Sequence, residues 1–162
     1  MSNVGRMDGT TQHAVALIDD GLGMTQIVRE ALIRIPSFNP TAPQNIVIRH
    51  LLPKSLLDTN QSGYEDIESI EQASFQDLQL AACLIDCNLI SHSISFSLEL
   101  CAKAIEGAAP FSSAFRGVPI ALITSSLEIE TYRLEANKLK VPVFSKLLEL
   151  RELSIWLADA FD

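Results

Sequence analysis

The sequence predicts an α/β domain built as a doubly wound, five-stranded parallel sheet with helices on both faces, three layers α/β/α in all. Three observations lead there. Short apolar runs rich in Val and Ile alternate with segments of helical periodicity, five β–α units in succession, and strict alternation of this kind implies parallel strands joined by helical crossovers. Within the clearest of these runs polar residues do not alternate with apolar ones, as expected of strands buried on both faces. Polar and charged residues collect instead where the runs stop.

The elements follow in order. The first 13 residues, MSNVGRMDGTTQH, are polar and are expected to be a frayed lead-in, with a single domain over 14–162. Ala14 to Ile18 is the first strand, and Asp19 and Asp20 close it. Met24, Ile27, Val28, Ala31, Leu32 and Ile35 then recur at the spacing of one helical stripe, which Pro36 ends. SFNPTAPQ is a loop and NIVIRHLL the second strand. After the linker PKSLLDTNQSG, the segment from Tyr64, YEDIESIEQASFQDL, is expected to be the second helix, with Ile67, Ile70 and Phe75 inward and acidic residues outward. AACLID, Ala81 to Asp86, is the third strand, and SFSLELCAKAIEGA the third helix, with Leu98, Cys101 and Ile105 on one side. VPIALITSS, Val118 to Ser126, is the fourth strand and LEIETYRLEANKLK a charged amphipathic helix. VPVFSK is a short fifth strand, and LLELRELSIWLADAFD closes the chain as a helix that packs through Leu150, Leu153, Trp156, Leu157 and Ala160.

Composition narrows the function classes. The chain has 162 residues, 48% of them hydrophobic, enough for one core that buries roughly 70% of the unfolded surface. A net charge of −8 without any Lys/Arg run argues against direct nucleic-acid binding. No apolar run approaches the roughly 18 residues of a membrane span, so no membrane insertion is expected. The cysteines are three, an odd number without a CxxC pair and without a secretion signal, which fits a reduced, cytoplasmic setting. Cys and His show no zinc-ligand spacing.

Open doubly wound sheets bind ligands beyond the carboxyl ends of their strands, near the point where the strand order reverses. The residues to weigh are therefore Asp19, Asp20, Asp86, Thr124 and Lys146. Three converging carboxylates raise one another's pKa unless a positive charge sits among them. Mg²⁺ answers that need, since it takes oxygen ligands and commonly uses one or two carboxylates together with water and phosphoryl oxygens. A carboxylate left over is a candidate nucleophile toward phosphorus, with the Thr124 hydroxyl and the Lys146 ammonium as charge-stabilising partners. Plainer readings stand beside these. An Asp before a helix can be its N-cap, Asp86 a turn residue, Thr124 an ordinary strand-end hydroxyl and Lys146 a solvated lysine. Cys87 suits a buried small hydrophobe, while His92, His13 and His50 suit surface positions.

On these residues the chain resembles the response-regulator receiver domains of two-component signalling, which have a (βα)₅ flavodoxin-like fold. The matching stretches are LIDDGLGMTQIVREAL, ACLIDCNLI, IALITSS and VPVFSKLLEL, and the resemblance covers about Ala14 to Phe161. It implies that Asp86 accepts a phosphoryl group from a histidine kinase or histidine phosphotransfer protein. It further implies that Asp19, Asp20, Asp86 and the backbone carbonyl of Asn88 hold Mg²⁺, and that Thr124 and Lys146 assist. Output would pass to a downstream protein target, or to a second copy in a homodimer, through the face of the fourth helix, fifth strand and fifth helix. Catalysis would extend no further than self-phosphorylation and self-dephosphorylation.

The sequence departs from that pattern in places. Leu147 stands where the family usually has proline, the loop after Asp86 lacks the usual proline and glycine, and Asp20 and Asp86 are 66 positions apart, more than is usual. The position of the family's aromatic switch residue falls on Val143, beside Phe144. A pseudo-receiver that binds proteins without being phosphorylated is the alternative. A haloacid-dehalogenase-type phosphatase is disfavoured because its aspartates stand at i and i+2, and a flavin binder because DDGLG would repel the flavin phosphate.

Overall fold

In a computed structural model of the chain, which describes residues 12–21, 23–33, 46–59, 67–89 and 93–161, the apolar runs become the strands of one parallel sheet. The strands are β1 (His13–Ile18), β2 (Ile46–Leu52), β3 (Glu68–Ser69), β4 (Gln79–Asp86), β5 (Ile120–Thr124) and β6 (Val143–Ser145). The helices are α1 (Met24–Ile33), α2 (Lys54–Thr59), α3 (Ile94–Glu106), α4 (Ile129–Ala136) and α5 (Leu150–Phe161). The sheet order is β3-β2-β1-β4-β5-β6. The chain builds outward from β1 to one edge, returns to place β4 on the other side of β1, and builds to the opposite edge. The reversal between β1 and β4 opens a crevice at their carboxyl ends.

Strand alternation divides the core into two. Val15 and Leu17 of β1, Ala82 and Leu84 of β4 and Ala121 and Ile123 of β5 pack under α1 and α5, through Val28, Ala31, Leu153 and Leu157 among others. Ala16, Ile18, Cys83, Ile85 and Leu122 point the other way, toward Leu100, Cys101 and Ala104 of α3 and toward Phe115. Burying a Leu or Ile fully is worth about 1.5–3 kcal/mol, so the two layers hold the sheet from both sides. Hydroxyls fill the polar gaps: Ser154 donates to the carbonyl of Ala31 at 2.7 Å, tying α5 to α1. Gly107, at φ +66°, ends α3 with its N–H returned to the last turn. All three cysteines are buried thiols.

Two expectations are corrected. Among the described residues the sheet has six strands, where five were expected, and the helix expected from Tyr64 does not form over its described part. Instead Glu68–Ser69 pairs with Leu51–Leu52 as an edge strand, and Ile70–Gln72 makes one 3₁₀ turn. Ile67 and Ile70 are still buried, because a spacing of three serves a strand followed by a tight turn as well as a helix. Arg49 of β2 fixes this arrangement: its guanidinium donates twice to the Glu68 carboxylate and once to the Ser74 carbonyl, and it lies over the Phe75 ring. The helix appears earlier, inside the stretch expected to be a linker, as α2. Pro53 starts it, since a proline N–H is not missed there, and Glu71 caps it by accepting the Lys54 N–H at 2.9 Å. Smaller differences concern boundaries: β1 opens at His13, inside the expected lead-in, and β4 opens at Gln79. Residues 1–11, the SFNPTAPQ loop and His92 lie outside the described residues.

Candidate functional site

Alternation carries β1 into Asp19 on the same face as Val15 and Leu17, and carries β4 into Asp86 on the same face as Ala82 and Leu84. Neighbouring strands in parallel register thus bring the two carboxylates to one side of the crevice. Asp19 is fully buried, Asp86 is 6% exposed and Asp20 is half-buried. One carboxylate oxygen from each of the three lies within 4.8 Å of the others. Lys146 enters from the turn after β6, where its N–H bonds the Thr124 carbonyl at 2.8 Å. Its ammonium stands 2.9 Å from Asp19 Oδ2 and 3.5 Å from Asp86 Oδ1.

The turn after β1 is tight. Asp19 Oδ1 accepts the Gly21 N–H at 2.6 Å, and a Cβ at Gly21 would lie 3.0 Å from that same oxygen, so a larger residue would press the carboxylate aside by a few tenths of an ångström. Asp19 Oδ2 is buried without an aligned hydrogen bond, its contact with Lys146 being a charge pair. Asp86 Oδ1 accepts the Asn88 N–H at 3.3 Å, and the Asp86 carbonyl accepts the Ser97 hydroxyl at 2.6 Å, which docks α3 on the end of β4.

The electrostatics follow from three carboxylates facing one ammonium. Burial, then the charge of Asp19, pushes the Asp86 carboxyl up to about 6, and Lys146 offsets only part of this. Burial would push Lys146 down, but Asp19 and Asp86 outweigh it and hold the ammonium above the ordinary lysine value. The donor set fits a hard divalent cation: oxygens only, an excess of negative charge, and a buried carboxylate oxygen with an unused lone pair. Among the described residues no other cluster of three or more His, Cys, Asp or Glu could hold a metal.

Thr124 is placed differently. Ile123, not Thr124, is the register partner of Asp86, and Thr124 shares the face of Leu122. Its Oγ1 accepts the Ser126 N–H at 2.9 Å and it bonds the Cys87 thiol, so the described contacts of Thr124 do not reach Asp86. Cys87 itself is pushed up to about 12, first by burial and then by Asp86, and is the inert small hydrophobe expected.

Two residues of the site escaped the sequence reading. His50, at the end of β2, puts Nε2 2.6 Å from the Asp19 carbonyl oxygen. Tyr132 of α4 donates its hydroxyl to Asn88 Oδ1 at 3.2 Å, joining α4 to the loop after Asp86. His50 carried a signal, a polar residue in the last part of a strand. Tyr132 carried none.

The turn after Lys146 keeps its shape without proline. Ser145 Oγ accepts the N–H groups of Leu147 and Leu148 at 3.2 and 3.1 Å, while Glu149 Oε1 accepts the Ser145 N–H at 2.8 Å. Arg133 of α4 donates to Glu149 at 2.6 Å and to the Val143 carbonyl, so α4 is bolted to this turn. Val143 is buried, and Phe144 packs beside Trp156 with ring centroids 6.2 Å apart.

No protein-family model and no curated protein sequence matches the chain. Among solved structures, the phosphorylated cyanobacterial phytochrome response regulator RcpA superimposes with a TM-score of 0.51 at 19% identity, covering 91% of this chain and 90% of that one. The chain has a receiver-type fold. The edge strand β3 adds to the five strands expected of it, and no helix of the described residues is long and apolar enough to cross a membrane.

Proposed function

We propose that the chain is a phospho-accepting receiver of a two-component phosphorelay, with Asp86 as the acceptor. One observation carries this reading: the Lys146 ammonium sits between Asp19 and Asp86, with Asp20 within 4.8 Å of both carboxylates. At neutral pH a carboxyl with a pKa of about 6 is mostly ionised, so Asp86 is a nucleophile. Its oxygen attacks the phosphorus of a phosphohistidine, the P–N bond breaks, and the imidazole leaves with the electron pair. Lys146 follows the negative charge as it moves from the carboxylate to the phosphoryl oxygens. Asp19, Asp20, Asp86 and the Asn88 carbonyl are the residues that would hold Mg²⁺, which supplies further positive charge to those oxygens.

In this reading Thr124 gives up the Ser126 N–H and turns toward the phosphorylated Asp86, and the segment from Thr124 to α4 is the two-state element. The output face is that of α4, β6 and α5, where Leu134, Leu147, Leu148 and Ile155 are exposed. A histidine kinase or histidine phosphotransfer protein is the donor. A downstream protein, or a second copy docking through that face, is the recipient, in the cytoplasm. The chain acts as a signalling domain whose own catalysis is confined to gaining and losing the phosphoryl group.

A pseudo-receiver is the second reading, favoured by Thr124 facing away from Asp86 and by the Arg133–Glu149 bolt across α4. Incubation with acetyl phosphate and Mg²⁺ followed by phosphate-affinity gel electrophoresis separates the two. A retarded band lost with EDTA and in Asp86→Asn supports the phospho-acceptor. An unshifted wild type, also after exposure to histidine kinases, supports the pseudo-receiver.

A further inference from the structure

We propose that His50 is a positioning residue for the acidic pair, an inference that rests on the metal-assisted phosphoryl site proposed above. Parallel register sets His50 beside Leu17, and alternation places its side chain on the face that carries Leu17 and Asp19. Half-buried there, it holds Nε2 2.6 Å from the Asp19 carbonyl oxygen. A carbonyl oxygen only accepts, so Nε2 carries a hydrogen and donates it.

The bonded oxygen belongs to the peptide between Asp19 and Asp20. The tilt of that peptide decides where the Asp20 carboxylate goes relative to the Asp19 carboxylate. At the other end Asp19 Oδ1 is held by the Gly21 N–H at 2.6 Å. Asp19 is therefore clamped twice, its carbonyl by the neighbouring strand and one carboxylate oxygen by its own turn. Oδ2 is left directed at Lys146 and the crevice. An Asp-Asp pair leaving a strand without such a clamp would keep soft backbone torsions at the point where two ligands must converge. Lys146 touches the Asp19 carboxylate and not the peptide.

The test is calorimetric titration of the whole chain with Mg²⁺ alone, comparing wild type with His50→Gln and His50→Asn. A glutamine amide nitrogen reaches the place of Nε2, whereas that of asparagine stops near Nδ1. His50→Gln is expected to keep the wild-type affinity. His50→Asn is expected to bind about tenfold more weakly, the lower end for residues that orient a metal's ligands. Melting without Mg²⁺ should differ between the two variants by no more than the few degrees that one lost hydrogen bond costs, so both are folded during the titration and a difference in affinity reports on how the ligands are placed. Should His50→Asn fail to fold, His50→Leu makes the same comparison with His50→Gln. Equal Mg²⁺ affinity in wild type and His50→Asn, or a loss that glutamine does not restore, overturns the role of His50 and leaves the phosphoryl site standing. Absence of Mg²⁺ binding by the wild type overturns the metal site itself.

Discussion

Lys146 meets Asp19 at 2.9 Å, at a point where Asp19 is wholly buried and a second carboxylate, Asp86, lies 3.5 Å from the same ammonium. One cation thus serves two buried anions from adjacent strands, and Asp20 adds a third. The site carries unrelieved negative charge, and that imbalance sets the first two predictions.

Removing the acceptor charge should stabilise the fold in a pH-dependent way. The Asp86 carboxyl titrates at about 6 in the fold against 3.8 for the free side chain. Between these values the folded state binds more protons than the unfolded one, so stability falls as pH rises from about 4 to about 6 and stays lower above that. Asp86→Asn removes the loss and should be more stable than wild type at pH 7.5 by on the order of 3 kcal/mol, with most of the gain gone near pH 4. Urea denaturation at the two pH values measures it.

Removing the ammonium should do the opposite. Lys146→Met leaves Asp19 buried without its charge partner, a loss of about 3 kcal/mol at neutral pH by the usual cost of breaking a buried pair. Mg²⁺ should then raise the melting temperature of Lys146→Met more than that of wild type, because the bound ion replaces the missing charge. Thermal melts with and without Mg²⁺ give the comparison.

Gly21→Ala should weaken Mg²⁺ binding more than it lowers stability. The new Cβ would stand 3.0 Å from Asp19 Oδ1 and press on the carboxylate that the turn holds. Calorimetric titration with Mg²⁺ should show a weaker site, while the melting temperature falls by only a few degrees, as for a loss of about 1 kcal/mol.

Tyr132→Phe should loosen the loop after Asp86 without disturbing the sheet. It deletes the hydroxyl that bonds Asn88 Oδ1 at 3.2 Å, a contribution of about 1 kcal/mol. Hydrogen exchange at Cys87 and Asn88 should accelerate, and exchange in β1 should not.

Much of the site was legible because parallel strands end together: polar residues that stop apolar runs far apart in sequence become neighbours at one edge. Asp19, Asp86 and Lys146 are placed by that rule alone. The facing of Thr124 was also encoded, since it shares the alternation of Leu122, but contact with Asp86 depends on how the chain leaves β5. The segment from Ile67 to Leu78 was misread because Ile67 and Ile70 fit two local structures. The choice is made by Arg49, 19 residues before Glu68, through contacts that no local pattern contains. His50 was undervalued for a related reason: its partner is a backbone carbonyl on another strand, invisible to side-chain motifs.

The most direct test of the central claim is to locate the phosphoryl group. After reaction with acetyl phosphate and Mg²⁺, borohydride reduces an aspartyl phosphate to homoserine, which peptide mass spectrometry reads by position. The account predicts homoserine at position 86 alone, dependent on Mg²⁺ and sharply reduced in Asp19→Asn. Homoserine at another aspartate, or none under conditions in which the chain is folded and binds Mg²⁺, would contradict it.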